Sequence, residues 1–136
     1  MIGTLVITHG NLADELIRAT VMIKGEQKGI LAVSVDAKKG LNEIKKEITG
    51  ALKKVDQGAG VLILTDLFGG TPSNISLSFL QDKKIEVVTG VNLPMLLKLS
   101  DLQEEKDLYR FAETVRNYGI KNIYMASEIL NRKASD

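Results

Sequence analysis

Cysteine is absent from the 136 residues. The chain can therefore form no disulfide, no thiolate metal site and no thiol nucleophile, and a cysteine-free composition fits a cytoplasmic location. Neither sign of charge is in excess: Lys+Arg is 18, Asp+Glu is 17, and the formal net charge is +1. That balance argues against a polyanion recognised by bulk charge, whether nucleic acid or an anionic membrane surface, so any phosphate recognition must be local. No apolar run approaches the ~20 residues of a membrane span. The first residues, Met1 to Ile7, show neither the basic n-region nor the small-residue cleavage site of a signal peptide. Internal repeats, low-complexity linkers and both glycine-rich nucleotide fingerprints are missing too. What is present is a 44% apolar composition, enough for a core, in a length typical of one domain.

The periodicities alternate between strand and helix. Thr4 to Thr8 is a short β-branched run that ends in His9-Gly10. Leu12 to Lys24 has helical spacing through Leu12, Leu16, Ile17, Thr20 and Ile23, with Gly25 at its end. Ile30 to Val35 reads as a second strand. Leu41 to Val55 is an amphipathic helix with Leu41, Ile44, Ile48, Leu52 and Val55 on one face and lysines on the other. Val61 to Thr65 is apolar without alternation, as in a strand covered on both faces. Pro72 to Leu80 reads as a third helix, Ile85 to Thr89 as a fourth strand, and Leu93 to Leu99 as a short helix capped by Asn92 with Pro94 in its first turn. Asp107 to Tyr118 reads as a helix stopped by Gly119, and Ile123 to Met125 as a short last strand. The expectation is one domain over 1–130 and a polar tail over 131–136.

This order predicts an α/β fold: a doubly wound, mainly parallel four-stranded sheet with helices on both faces. Sites in such sheets form at the C-terminal rim, where strand order reverses. In the order 2-1-3-4 the crevice lies between the first and third strands, and chemistry is expected just after residues 8 and 65. His9, the only histidine, follows the first strand, and Asp66 follows the third. Adjacent strands lie about 5 Å apart, so the two side chains can hydrogen-bond. A carboxylate on one imidazole nitrogen fixes the tautomer and leaves the other nitrogen as a nucleophile for a phosphoryl group. Gly69 and Gly70 permit close approach of a ligand to the main chain. Thr71 suits an N-cap and Pro72 a first helical position, so a helix begins on the rim with its N–H groups outward. With the hydroxyls of Thr8, Thr71 and Ser73, these residues make a candidate phosphate site of the kind phosphoryl transfer needs. Asn92 and Pro94 are candidate site walls. No metal site is expected.

Thr8-His9-Gly10, Asp66-Leu67-Phe68-Gly69-Gly70-Thr71-Pro72-Ser73-Asn74 and Gly90-Val91-Asn92-Leu93-Pro94-Met95-Leu96, in that order and spacing, resemble the mannose-type enzyme IIA family of the bacterial sugar phosphotransferase system. The resemblance spans about Met1 to Met125. It implies a cytoplasmic phosphocarrier in which phospho-HPr charges His9, Asp66 orients it, and the phosphoryl group passes to an enzyme IIB partner on a separate chain. It also implies phosphorylation at Nε2, no metal or organic cofactor, membrane contact only through the transporter complex, and a homodimer that exchanges the strand over Ile123 to Met125. A regulatory phosphosensor of the same fold, in an incomplete phosphotransferase system, is the alternative. A response-regulator receiver would also place an aspartate after the third strand, but it needs an acidic pair where this chain has His9-Gly10-Asn11.

Overall fold

A computed structural model describes residues 1–36, 38–67, 71–82 and 84–135, with the side chains of 71–73 and 133–135 outside that description. Four strands, β1 (Gly3–His9), β2 (Ile30–Val35), β3 (Val61–Thr65) and β4 (Ile85–Thr89), form one sheet in the order β2-β1-β3-β4. Every pairing is parallel. Six α-helices are described: α1 (Leu12–Lys24), α2 (Leu41–Val55), α3 (Thr71–Leu77), α4 (Leu93–Leu99), α5 (Leu108–Lys121) and α6 (Ala126–Ser135).

The pleat of the central strands divides the interior into two cores. Ile2, Val6, Leu62 and Leu64 pack on one face with Ala13 of α1, Met95 and Leu96 of α4, and Phe111 and Val115 of α5. Leu5, Ile7, Val61 and Ile63 pack on the other with Ile44, Ile48, Leu52 and Val55 of α2 and Ile75 of α3. Side chains alternate across a strand, so a strand buried on both faces needs apolar or hydroxyl residues at every position, which is why Val61–Thr65 shows no polar alternation. The α2 stripe is buried from Ile44 onward, whereas Leu41 is exposed, as are Leu12 and Ile23 of α1. Those three obey helical spacing but lie beyond the area the sheet covers.

Among the described glycines, the closest packing is at Gly3. A Cβ there would overlap the Val55 carbonyl oxygen and lie 2.8 Å from its carbon, both main-chain atoms at the end of α2. Backbone cannot rotate away as a side chain can. Gly3→Ala is therefore expected to cost on the order of 1–3 kcal/mol, read as a lower urea midpoint at unchanged m-value.

Four boundaries differ from the periodicity. α3 ends at Leu77, and Ser78, Phe79 and Leu80 continue in tighter turns whose N–H groups reach the carbonyls of Ile75, Ser76 and Leu77. Gly119 does not stop α5. It sits inside the helix because a Cβ would come within 2.6 Å of Met95 Cγ, so it serves close approach of α4 and α5. Ile123 to Met125 is not a strand in this chain; it joins α5 to α6 and its side chains are exposed. Asn131 to Ser135, expected as a polar tail, are the last residues of α6.

Candidate functional site

His9 is the last residue of β1, paired in register with Val35 of β2. Asp66 directly follows β3, whose Thr65 pairs with Ile7 of β1. The parallel register thus carries both residues to one rim. Asp66 Oδ2 accepts the His9 main-chain N–H at 3.0 Å and faces His9 Nδ1 at 2.9 Å. Asp66 Oδ1 accepts the Leu67 N–H at 3.0 Å. The carboxylate is thereby fixed before it orients the ring.

The two side chains differ in exposure: 51% for His9 and 10% for Asp66. Burial pushes the Asp66 carboxyl up. The hydrogen bonds from the His9 main chain and ring, and the attraction of an imidazolium, outweigh that and hold it below the ordinary carboxylate range. An ionised carboxylate only accepts hydrogen bonds, so Nδ1 carries the ring proton when His9 is neutral. Nε2 then holds the lone pair, and it has no partner among the described residues.

Gly10 closes the turn after His9 with φ of 54°, a region glycine enters without strain. Its N–H donates to the Val35 carbonyl at 3.1 Å, and its carbonyl accepts from Ser34 Oγ. Ser34 therefore clamps the histidine turn from β2. Sequence reasoning missed it, because a serine in a half-buried strand shows its partner only after strands pair.

The other expected site residues divide. Thr8 is not a phosphate donor on the rim. It is fully buried, and its Oγ1 accepts the Ala13 N–H at 2.7 Å, which fastens the start of α1 to β1. The pleat turns Thr8 to the face opposite His9. Asn92 is no free wall either: Oδ1 accepts the Met95 N–H at 3.1 Å and Nδ2 donates to the Gly119 carbonyl at 3.0 Å, so both polar ends hold α4 and α5 together. Pro94 stands in the first turn of α4. Thr71 and Ser73 lie in the first turn of α3, which starts on this rim after β3. Gly69 and Gly70 lie outside the described residues. Among the described residues, no cluster of three or more His, Asp or Glu is placed to hold a metal ion, and no helix is long and apolar enough to cross a membrane.

A histidine oriented by a partly buried carboxylate, on the C-terminal rim where the order of an open parallel sheet reverses, defines an α/β protein with a single imidazole presented to solvent. Residues 3–116 match the family described as PTS system fructose IIA component. The chain belongs to this family, the mannose-type enzyme IIA components of the sugar phosphotransferase system. It is 31% identical over 133 residues to the fructose-specific EIIA component of Bacillus subtilis (strain 168), covering 97% of this chain and 91% of that protein. It is 33% identical over 98 residues to the mannose-specific EIIAB component of Escherichia coli (strain K12), covering 71% of this chain and 30% of that one. The crystal structure of an EIIA component from Streptococcus agalactiae superposes with a TM-score of 0.84 at 28% identity, covering 94% of this chain and 99% of that one.

Proposed function

We propose that His9 accepts a phosphoryl group from phospho-HPr on Nε2 and passes it to an enzyme IIB partner, in the cytoplasm, for coupled sugar uptake and phosphorylation. The observation that carries this reading is the 2.9 Å contact between Asp66 Oδ2 and His9 Nδ1, which leaves Nε2 as the nucleophile. In the transfer the Nε2 lone pair forms the new N–P bond as the donor's N–P bond breaks, and the donor nitrogen takes back its electron pair. The ring of His9 becomes cationic, and Asp66 stabilises that charge through the Nδ1 proton. The reverse polarity serves the second transfer. Thr71 and Ser73, with Gly69 and Gly70, are proposed to receive the phosphoryl oxygens at the start of α3.

Intact-protein mass spectrometry after incubation with phosphoenolpyruvate, enzyme I and HPr tests the reading. A single acid-labile phosphoryl adduct is expected. An unmodified chain beside demonstrably phosphorylated HPr would refute it.

We also infer a homodimer completed by exchange of the segment over Ile123 to Met125. Its support is that Ile123, Tyr124 and Met125 are all more than half exposed in the single chain. A chain ended after Asn122, which keeps α5 whole, is expected to sediment as a monomer. A truncated chain that remains dimeric would dismiss the exchange.

A further inference from the structure

We propose that the open edge of β2 is a docking site for an extended acidic segment of a partner protein, which adds to the sheet as a further strand. β2 ends the sheet on its side. Its bonds to β1 include those from the Thr4 N–H to the Gly29 carbonyl at 2.9 Å and from the Gly10 N–H to the Val35 carbonyl at 3.1 Å. In a parallel ladder alternate residues face one neighbour, so Ile30, Ala32 and Ser34 turn their N–H and carbonyl groups to the open side. Lys39 Nζ lies 3.4 Å from the Ser34 carbonyl there, a cation where a strand partner would sit.

A groove of about 510 Å³ runs along this edge, its far wall built by α2. Lys46 and Lys54 line that wall, and Lys39 lines the groove just before α2 begins. Lys39 pairs with Glu47 at 3.1 Å, whereas Lys46 and Lys54 have no ion-pair partner among the described residues. Eight helical residues rise ~12 Å, and four residues of an extended strand cover about the same distance. Acidic side chains four apart on one face of an added strand therefore reach both lysines.

Midway between them stands Gly50. A Cβ there would meet nothing within 4 Å, and its φ is not positive. Neither packing nor backbone geometry requires glycine, and glycine weakens a helix relative to alanine. Its effect is to leave the wall low where an incoming main chain would pass. Lysines alone would serve to guard an edge; a guard needs no such gap.

The groove also carries the Asp14 carboxylate of α1, but the lysines outnumber the carboxylates and Glu47 is taken by Lys39, so the charge selects an acidic occupant. A second copy offering the same β2 edge would set lysine row against lysine row. A single-stranded nucleic acid would want stacking aromatics, and none lines the groove.

The test uses the full chain, labelled with ¹⁵N, and an acetylated, amidated peptide of alternating valine and glutamate about eight residues long, beside its lysine counterpart. The glutamate peptide is expected to shift the amides of Ile30, Ala32 and Ser34 saturably and slow their hydrogen exchange. Lys46→Glu with Lys54→Glu should weaken it by about tenfold or more. Gly50→Leu should block it while unfolding at no lower denaturant concentration than wild type. Silence at those three amides, equal binding of the lysine peptide, or charge-reversed chains that bind undiminished would each overturn the proposal.

Discussion

His9→Ala is expected to take up no phosphoryl group from phospho-HPr while the chain keeps its fold. The side chain is half exposed at the end of β1 and belongs to neither core, so its loss removes the proposed acceptor without opening a cavity. What remains is the Asp66 carboxylate with its bonds from the His9-position N–H and the Leu67 N–H, which any residue at position 9 except proline can keep. The measurement pairs intact mass with the urea midpoint. A mutant that still gains an acid-labile adduct would move the acceptor elsewhere. A mutant that unfolds would recast His9 as a structural residue.

Asp66→Asn is expected to slow transfer by about 10⁴-fold, the scale set when an orienting carboxylate is lost from an imidazole. Asparagine can offer Nδ1 either an oxygen or an NH₂ group. The second choice forces the proton to Nε2, where it blocks the lone pair, and neither choice supplies charge to balance a cationic ring. Ring ¹⁵N shifts of His9 report the tautomer directly, and that readout would not move if Asp66 merely capped its turn. A variant within about tenfold of wild type, with an unchanged tautomer, would reduce Asp66 to that role.

The same carboxylate makes a pH prediction. Its pKa in the folded chain is lowered. A lowered carboxylate contributes stability above its unfolded value, about 3.9 for aspartate, and loses it as pH falls through the folded value. The difference in urea midpoint between wild type and Asp66→Asn should therefore be full at neutral pH and shrink below about pH 4. A difference that grows on acidification would reverse the sign assigned here.

Much of the fold was legible because its elements bury continuous, periodic surfaces. α1, β2, α2, β3, β4 and α4 fall where periodicity and capping residues put them. The His9–Asp66 pair was legible for a topological reason: once the order β2-β1-β3-β4 is inferred, the residues that follow β1 and β3 must meet. Illegible were contacts between elements distant in sequence. Gly119 reads as a stop until Met95 is found against it, and Asn92 reads as a site residue until the Gly119 carbonyl takes its amide. Thr8 reads as a donor beside His9 until the pleat buries it under α1.

By itself the sequence determined the alternation of strands and helices and the parallel sheet, and it placed one histidine and one aspartate just after strands that a doubly wound order makes neighbours. Local spacing and hydrophobic burial set those, and neither depends on fine geometry. Only the tertiary structure decided which ring nitrogen Asp66 holds, that Ser34 clamps the Gly10 turn, and that the β2 edge stands open beside a row of lysines. Each of these rests on hydrogen-bond directions across strand pairs and helix walls, and such directions exist only once distant segments are in register.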